Sequence, residues 1–230
     1  MIADALARDI RRGLAEAANT ERALAMQRYM KSAMPFRGVP SAAGRANSLA
    51  AVRRHPLADR SEWEAVIRSL FDDAEYREER YGALHVLHAR QYRGYLDRAA
   101  VPLLEHMIIT GAWWDLVDDA STAAGDALLR DRSGVVPALE RWATGPDMWL
   151  ARAAIIAQRK LKTETDFELM VRLIEPSIGS REFFLQKGIG WALREHSKTD
   201  PDGVRAYVAS HPGLAPLSRR EALKWLARHT

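Results

Sequence analysis

The segment KGIGWALREH, residues 187–196, has small and apolar residues at helical spacing, followed by basic residues. Three other segments repeat this pattern, namely YGALHVLHAR from Tyr81, RAAIIAQRKL from Arg152 and REALKWLARH from Arg220. Successive starts are 71, 35 and 33 residues apart, and the first interval is close to two periods. A period of about 35 residues is typical of helical pairs that stack into a curved solenoid. We therefore expect a further member near residue 116.

Short stretches rich in Pro, Gly and Asp separate the helical segments. They are MPFRGVPSAAGR at 34–45, RRHPLADRS at 53–61, ATGPDM at 143–148, KTDPDG at 198–203 and SHPGLAP at 210–216. Alternating runs rich in Val, Ile and Thr, which would indicate strands and hairpins, are missing from the sequence. We predict an all-α chain of many short helices that forms one domain over residues 1–230.

The composition excludes several classes of protein. The chain has 230 residues, of which 47% are apolar and 28% are charged, and it contains no cysteine. Disulfides, zinc–cysteine sites and thiol catalysis are therefore excluded, and the default location is the cytoplasm. No apolar run is long enough to span a membrane, and the start MIADALARDIRRGL does not resemble a signal peptide. The net charge of +4 is compatible with a nucleic-acid partner and equally with an ordinary basic surface.

The segment GAWWDLVDDAS, residues 111–121, places two adjacent tryptophans before three carboxylates. Adjacent residues of one helix point in different directions. On a helix over 107–122 the predicted core arc contains Ile109, Trp113, Leu116, Val117 and Ala120. Trp114 and Asp118 are four residues apart and lie together outside that arc. Either Trp114 packs against an adjoining repeat, or the pair serves a function.

Two further helices show a similar division. Over 183–198 the predicted core residues are Leu185, Ile189, Ala192 and Leu193, and the opposite face carries Lys187, Trp191, Arg194 and Lys198. Over 149–162 the predicted core residues are Leu150, Ala154, Ala157 and Leu161, and we expect Arg152 and Arg159 to point away from them. An aromatic side chain among cations is typical of a surface that contacts phosphate and sugar.

Other chemistries have less support. His85 and His88 have a spacing compatible with metal binding, but no third ligand is obvious, so we predict no metal site and no cofactor. Phosphate-binding glycine loops, nucleophile elbows and HExxH motifs are missing from the sequence. The charged run DDAEYREER at 72–80 is interpreted as a solvated helical face with internal ion pairs.

Four motifs together resemble those of the AlkD-type DNA alkylation-repair glycosylases. They are YMKSAMPFRGV at 29–39, WWDLVD at 113–118, MWLARAAIIAQ at 148–158 and FFLQKGIGWALREHSKTDP at 183–201. The resemblance runs from about residue 23 to the C-terminus. It implies HEAT-like repeats in a right-handed type of solenoid, whose concave basic surface holds duplex DNA. It also implies a monomeric enzyme that removes purines alkylated at N3 or N7 and leaves an abasic site, without base flipping.

The resemblance assigns roles to individual residues. Asp118, Trp114 and Trp191 match the catalytic positions, and Arg152 matches a phosphate-binding arginine. The other DNA-binding candidates are Lys187, Arg194, Lys198, Arg159, Lys31 and Tyr29. Position 188 is Gly where the family is expected to have Ala, on the side that we predict to face DNA. The alternative function is a non-catalytic helical-repeat module that binds DNA structure or another protein.

Overall fold

The computed structural model describes residues 2–229, and within this range it contains thirteen α-helices and no strand. The all-α prediction is confirmed. The chain divides into two compact units, residues 1–95 and residues 96–230. The first contains α1 (Ile2–Glu16), α2 (Thr20–Met30), α3 (Ser41–Arg54), α4 (Arg60–Asp72) and α5 (Arg77–Leu87). The second contains α6 (Val101–Gly111), α7 (Trp114–Arg130), α8 (Arg132–Thr144), α9 (Met148–Ile156), α10 (Phe167–Ile174), α11 (Phe183–His196), α12 (Pro201–Ser210) and α13 (Pro216–Leu223).

Aspartates and one asparagine determine where many helices begin. In three of the predicted breaks, Asp59, Asp147 and Asp200 cap α4, α9 and α12 by accepting backbone N–H bonds from the first turn. Asn19 and Asp131 cap α2 and α8 in the same way. A side-chain oxygen at this position satisfies an N–H group that has no partner within the helix. The punctuation in the sequence therefore marked true helix boundaries.

The charged run at 72–80 is buried in part, so its interpretation as a solvated face is wrong. The Glu78 carboxylate accepts the backbone N–H groups of Arg37, Gly38 and Val39 at 2.9, 2.8 and 3.1 Å. Glu79 accepts from Arg37 Nη2 at 3.2 Å and from Arg11 Nε at 3.1 Å. These carboxylates anchor the extended segment after α2, whose N–H groups have no helical partners. The carboxylates of this run are therefore buried because a segment about 40 residues away needs them as hydrogen-bond acceptors.

In the second unit, helices form consecutive pairs, α6–α7, α8–α9, α10–α11 and α12–α13, and the members of each pair pack together. The second helices also form a row in which α7 packs on α9, α9 on α11 and α11 on α13. The repeated segments from Arg152, Lys187 and Arg220 lie in that row, and the member expected near residue 116 is α7. Helical repeats of about 35 residues are therefore confirmed in this unit.

Polar contacts between neighbouring pairs recur at nearly the same interval. Their separations run from 32 to 36 residues, in Arg172–Glu140, Arg98–Asp131, Arg132–Asp166, Arg152–Asp118, Lys187–Glu221 and Arg141–Glu105. Equivalent positions of adjacent repeats thus bond to each other. Most of these pairs are exposed and contribute little stability. The pairs of Arg152 and Glu221 are exceptions because their carboxylates are buried.

The predicted helix over 107–122 is two helices, which corrects the assignment of its faces. Ala112 adopts a left-handed conformation, φ 40°, and its N–H bonds to Ile108 to close α6. Trp113 is extended and precedes α7. The break changes the helical phase, so Ile109 is 44% exposed and is not a core residue. On α7, the core prediction is confirmed for Leu116, Val117 and Ala120, which are buried.

The other two predicted core arcs are buried throughout, comprising Leu150, Ala154, Ala157 and Leu161, and Leu185, Ile189, Ala192 and Leu193. Their helices are shorter than predicted. A 3-10 segment, Ala157–Lys160, follows α9, and α11 ends at His196, so Lys198 lies beyond the helix.

Candidate nucleic-acid interface

Asp118 of α7 forms a bidentate ion pair with Arg152 of α9. Arg152 Nε donates to Asp118 Oδ1 at 2.8 Å, and Arg152 Nη2 donates to Asp118 Oδ2 at 2.9 Å. Their side chains are 12% and 5% exposed, so the carboxylate is the more accessible end of the pair. Such bidentate, charge-assisted bonds fix both groups in one orientation. Each carboxylate oxygen keeps a further lone pair for another donor.

Arg152 is buried, which corrects the expectation that it points away from the core. Its third bond runs from Nη1 to the carbonyl oxygen of Phe184, at 2.6 Å, at the start of α11. Arg152 therefore joins three successive repeats. The expectation rested on the sequence of α9 alone, whereas α7 and α11 both pack against α9 and cover the guanidinium. In this structure Arg152 orients Asp118, and direct phosphate contact by Arg152 stays a prediction.

Three aromatic rings pack together beside this ion pair, and two of them were missed in the sequence. The ring centroids of Trp113 and Trp149 are 6.0 Å apart, and those of Trp149 and Phe184 are 4.9 Å apart. Trp113 and Phe184 meet edge to face at 5.5 Å. Trp113 is thus partly buried in an aromatic cluster and does not lie on the apolar arc predicted for it. The signal for Trp149 and Phe184 was their place in the quoted motifs.

Arg159 connects Trp191 to the helix of Asp118. Its Cζ lies 4.0 Å from the centroid of the Trp191 ring, and its Nη2 lies 3.4 Å from the Asp118 carbonyl oxygen. Burial lowers the pKa of the Arg159 guanidinium. Arg159 covers one face of the Trp191 ring. Trp114 is half-buried, as is Trp191, and Trp114 lies one helical turn before Asp118.

The predicted cationic face of α11 is partly exposed, and its charges have carboxylate partners. Lys187 and Arg194 both bond to Glu221 of α13, at 2.9 and 2.6 Å. Lys198 bonds to Glu195 at 2.6 Å. A count of cations therefore overstates the positive charge that this face presents.

The remaining candidates lie in the first unit. Tyr29 is 76% exposed near the end of α2, and Lys31 is exposed with a left-handed backbone, φ 50°. His85 bonds through Nδ1 to Ser48 Oγ at 3.1 Å. Across residues 2–229, no cluster of three or more metal-binding side chains occurs.

Comparison with known proteins identifies the family of this chain. The profile of the family described as DNA alkylation repair enzyme matches residues 10–226, nearly the whole length. This chain belongs to that family. A solved structure described as a predicted DNA alkylation repair enzyme from Enterococcus faecalis is 28% identical, with a TM-score of 0.82. The match covers 92% of this chain and 97% of that one. No curated protein is significantly similar to this chain.

Within residues 2–229, no helix is long and apolar enough to span a membrane. The description of the family supports a DNA substrate.

Two glycines of α11 differ in what surrounds them. Gly188 is buried against Arg152, which corrects the prediction that it faces DNA. A Cβ at 188 would lie 3.4 Å from Arg152 Nη1 and 3.5 Å from Ile156 Cγ2, so there is room for a methyl group. A Cβ at 190 would lie 2.5 Å from Glu221 Cβ and 2.8 Å from the Ser218 carbonyl oxygen. Gly190 therefore permits the close approach of α11 and α13.

We expect opposite effects from the same substitution at these two positions. Gly188→Ala raises the free energy of unfolding by roughly 0.5–1 kcal/mol, because alanine favours the helix. Gly190→Ala lowers it by about 1–3 kcal/mol, because α13 must move away. Urea unfolding of both variants beside the wild-type protein measures the two changes. An increase for both variants would show that α11 and α13 are not closely packed at Gly190, and a decrease for both would show that Gly188 has no room for a methyl group.

Proposed function

We propose that this chain is a DNA glycosylase that excises cationic N3- or N7-alkylated purines from duplex DNA and leaves an abasic site. The observation that carries the proposal is the Asp118–Arg152 pair, in which two bonds from a buried arginine hold a carboxylate rigidly while its side chain stays 12% exposed. A purely structural pair at this position could be replaced by apolar side chains without loss of stability. Its placement beside Trp114 and Trp191 fits the catalytic positions of the family's glycosylases.

The chemistry suits a site with a carboxylate and aromatic faces. Alkylation at N3 or N7 gives the purine a positive charge. When the glycosidic C1′–N bond breaks, its electron pair goes to the base, which leaves neutral, and the sugar becomes an oxocarbenium-like cation. Water then adds to C1′ and loses a proton to the solvent. No metal or cofactor is required for these steps.

Asp118 stabilises the sugar cation and orients the attacking water through its free lone pairs. Arg152 cancels much of the carboxylate's charge at long range, but it lies at the buried end of the pair. The negative end of the resulting dipole is the end that a sugar can approach. Trp114 and the open face of Trp191 hold the deoxyribose and attract its developing positive charge.

Each of these side chains acts on sugar or phosphate. The protein can therefore contact the DNA backbone while the alkylated base stays in the stack. On this proposal the cations Lys187, Arg194, Lys198 and Arg159 contact phosphates, and Tyr29 and Lys31 contact DNA from the first unit. We propose further that the repeats of the second unit present their groups on a concave basic surface of a right-handed solenoid, and that one monomer acts on one lesion.

A single-turnover excision assay tests the function. Duplex DNA that carries one N7-methylguanine is incubated with excess protein, and the released base and the alkali-labile abasic site are quantified. We expect release to follow a single exponential that reaches completion. Binding without any release from N3- or N7-alkylated duplexes would contradict the glycosylase and would favour the non-catalytic alternative.

Joint neutralisation of the cationic face tests where DNA binds. We expect Lys187→Gln, Arg194→Gln and Lys198→Gln together to reduce the slope of log K against log salt by about 2.7, at 0.9 for each positive charge removed. Fluorescence anisotropy on an undamaged duplex between 50 and 200 mM salt gives this slope. An unchanged slope in a folded triple variant would place the DNA elsewhere on the protein.

A further inference from the structure

Glu221 is a buried carboxylate that binds two cations of the DNA-facing side of α11. It lies on α13 and is 8% exposed, and each of its oxygens has its own partner. Oε1 accepts from Lys187 and Oε2 accepts from Arg194. The hydrogen bond from Lys187 lowers the pKa of Glu221, so the carboxylate is charged at neutral pH.

The two cations are seven residues apart, which is two turns of α11, and Trp191 lies between them on the same side. Free lysine and arginine side chains sample many rotamers, and ordering them on DNA costs entropy. The bonds to Glu221 order both side chains before DNA arrives. Each cation also keeps donors for a phosphate, because the ammonium has three N–H groups and the guanidinium has five.

The net charge of the three groups is +1, since one carboxylate cancels one of two cations. The two cations cannot both leave Glu221 at low cost, because a buried carboxylate without a partner is strongly unfavourable. DNA binding at this face therefore releases the counterions of one net charge, although two cations face the phosphates.

We propose that Glu221 is a positioning residue for DNA binding, which fixes Lys187 and Arg194 and limits the charge they present to phosphate. The inference rests on the proposed function, because it requires α11 to face DNA. As a consequence, the protein binds undamaged duplex more weakly. Undamaged sites compete with the lesion for the protein, so weaker binding to them favours the lesion. Glu221 thus keeps Lys187 and Arg194 in a fixed geometry and reduces their attraction to undamaged DNA.

Glu221→Gln tests the proposal because it removes the charge and nearly conserves the shape. We expect the salt slope on undamaged duplex to become steeper by about 0.9 and the affinity at 100 mM salt to rise roughly fivefold to tenfold. Glu221→Asp retains the charge and should keep the wild-type slope. The double variant Lys187→Gln, Glu221→Gln has the wild-type net charge and should also return the slope to the wild-type value.

Glu140→Gln is the matched control, because Glu140 also pairs with an arginine of the next repeat, Arg172, but lies on α8, outside the row of second helices. It changes the total charge equally and should leave the slope unchanged. An unchanged slope in folded Glu221→Gln, or an equal change in Glu140→Gln, would overturn the role of Glu221. Wild-type protein that neither binds nor excises would overturn the proposed function as well, whereas normal wild-type binding and excision with no Glu221 effect would overturn only this inference.

Discussion

Asp118→Asn is expected to abolish most excision of N7-methylguanine, by at least about 100-fold, while DNA binding is retained. The substitution replaces a carboxylate by a neutral amide of the same shape. An amide gives the oxocarbenium-like sugar far less stabilisation, and its NH₂ group cannot accept a hydrogen bond from the attacking water. Single-turnover rates and anisotropy on the same duplex separate the loss of chemistry from any loss of binding.

Asp119→Asn is the matched control for this variant. It removes the same charge from the next residue of α7, which points in a different direction from Asp118. We expect excision within a few-fold of wild type. In the Asp118→Asn variant the new amide also meets the N–H groups of Arg152, so thermal unfolding must show that this variant is folded at the assay temperature. A folded Asp118→Asn protein with wild-type rates would remove Asp118 from the catalytic role.

The sequence predicts those parts of the fold that depend on local chemistry and on period. Three predicted breaks end at a capping aspartate, namely Asp59, Asp147 and Asp200. These helix starts are predictable because a cap bonds to N–H groups within three residues of itself. The repeat of about 35 residues predicts the position of α7 without any tertiary contact. Core residues of α11 were also predictable, because one apolar face must be buried whatever its partner is.

The errors occur where a distant segment determines the environment. Glu78 is buried because the backbone near Gly38, 40 residues away, needs acceptors. Arg152 is buried because α11 covers α9, and a wheel drawn for α9 alone cannot show this. The break at Ala112 has no local signal either, since alanine rarely adopts a positive φ. Within the candidate site, the residue types were readable from the motifs, whereas the Asp118–Arg152 bond required the packing of two repeats.

Arg152→Met is expected to lower the free energy of unfolding by about 3–5 kcal/mol and to abolish excision. The variant leaves the Asp118 carboxylate buried without its partner and removes the donor to the Phe184 carbonyl oxygen. For a protein of this size, the loss corresponds to a decrease in Tm on the order of 10 °C. Arg132→Met is the control, since the exposed Arg132–Asp166 pair spans the same 34 residues and should be worth at most about 1 kcal/mol.

The double variant Asp118→Leu, Arg152→Met separates the structural from the chemical contribution of the pair. Two apolar side chains fill the space without a buried charge, so the free energy of unfolding should return to within about 1–2 kcal/mol of wild type. Excision should remain abolished, because no carboxylate is left to face the sugar. Restored stability without activity would mean that this buried ion pair is retained for chemistry. Restored stability together with restored excision would contradict a catalytic role for both residues, and another residue would then have to supply the catalytic group.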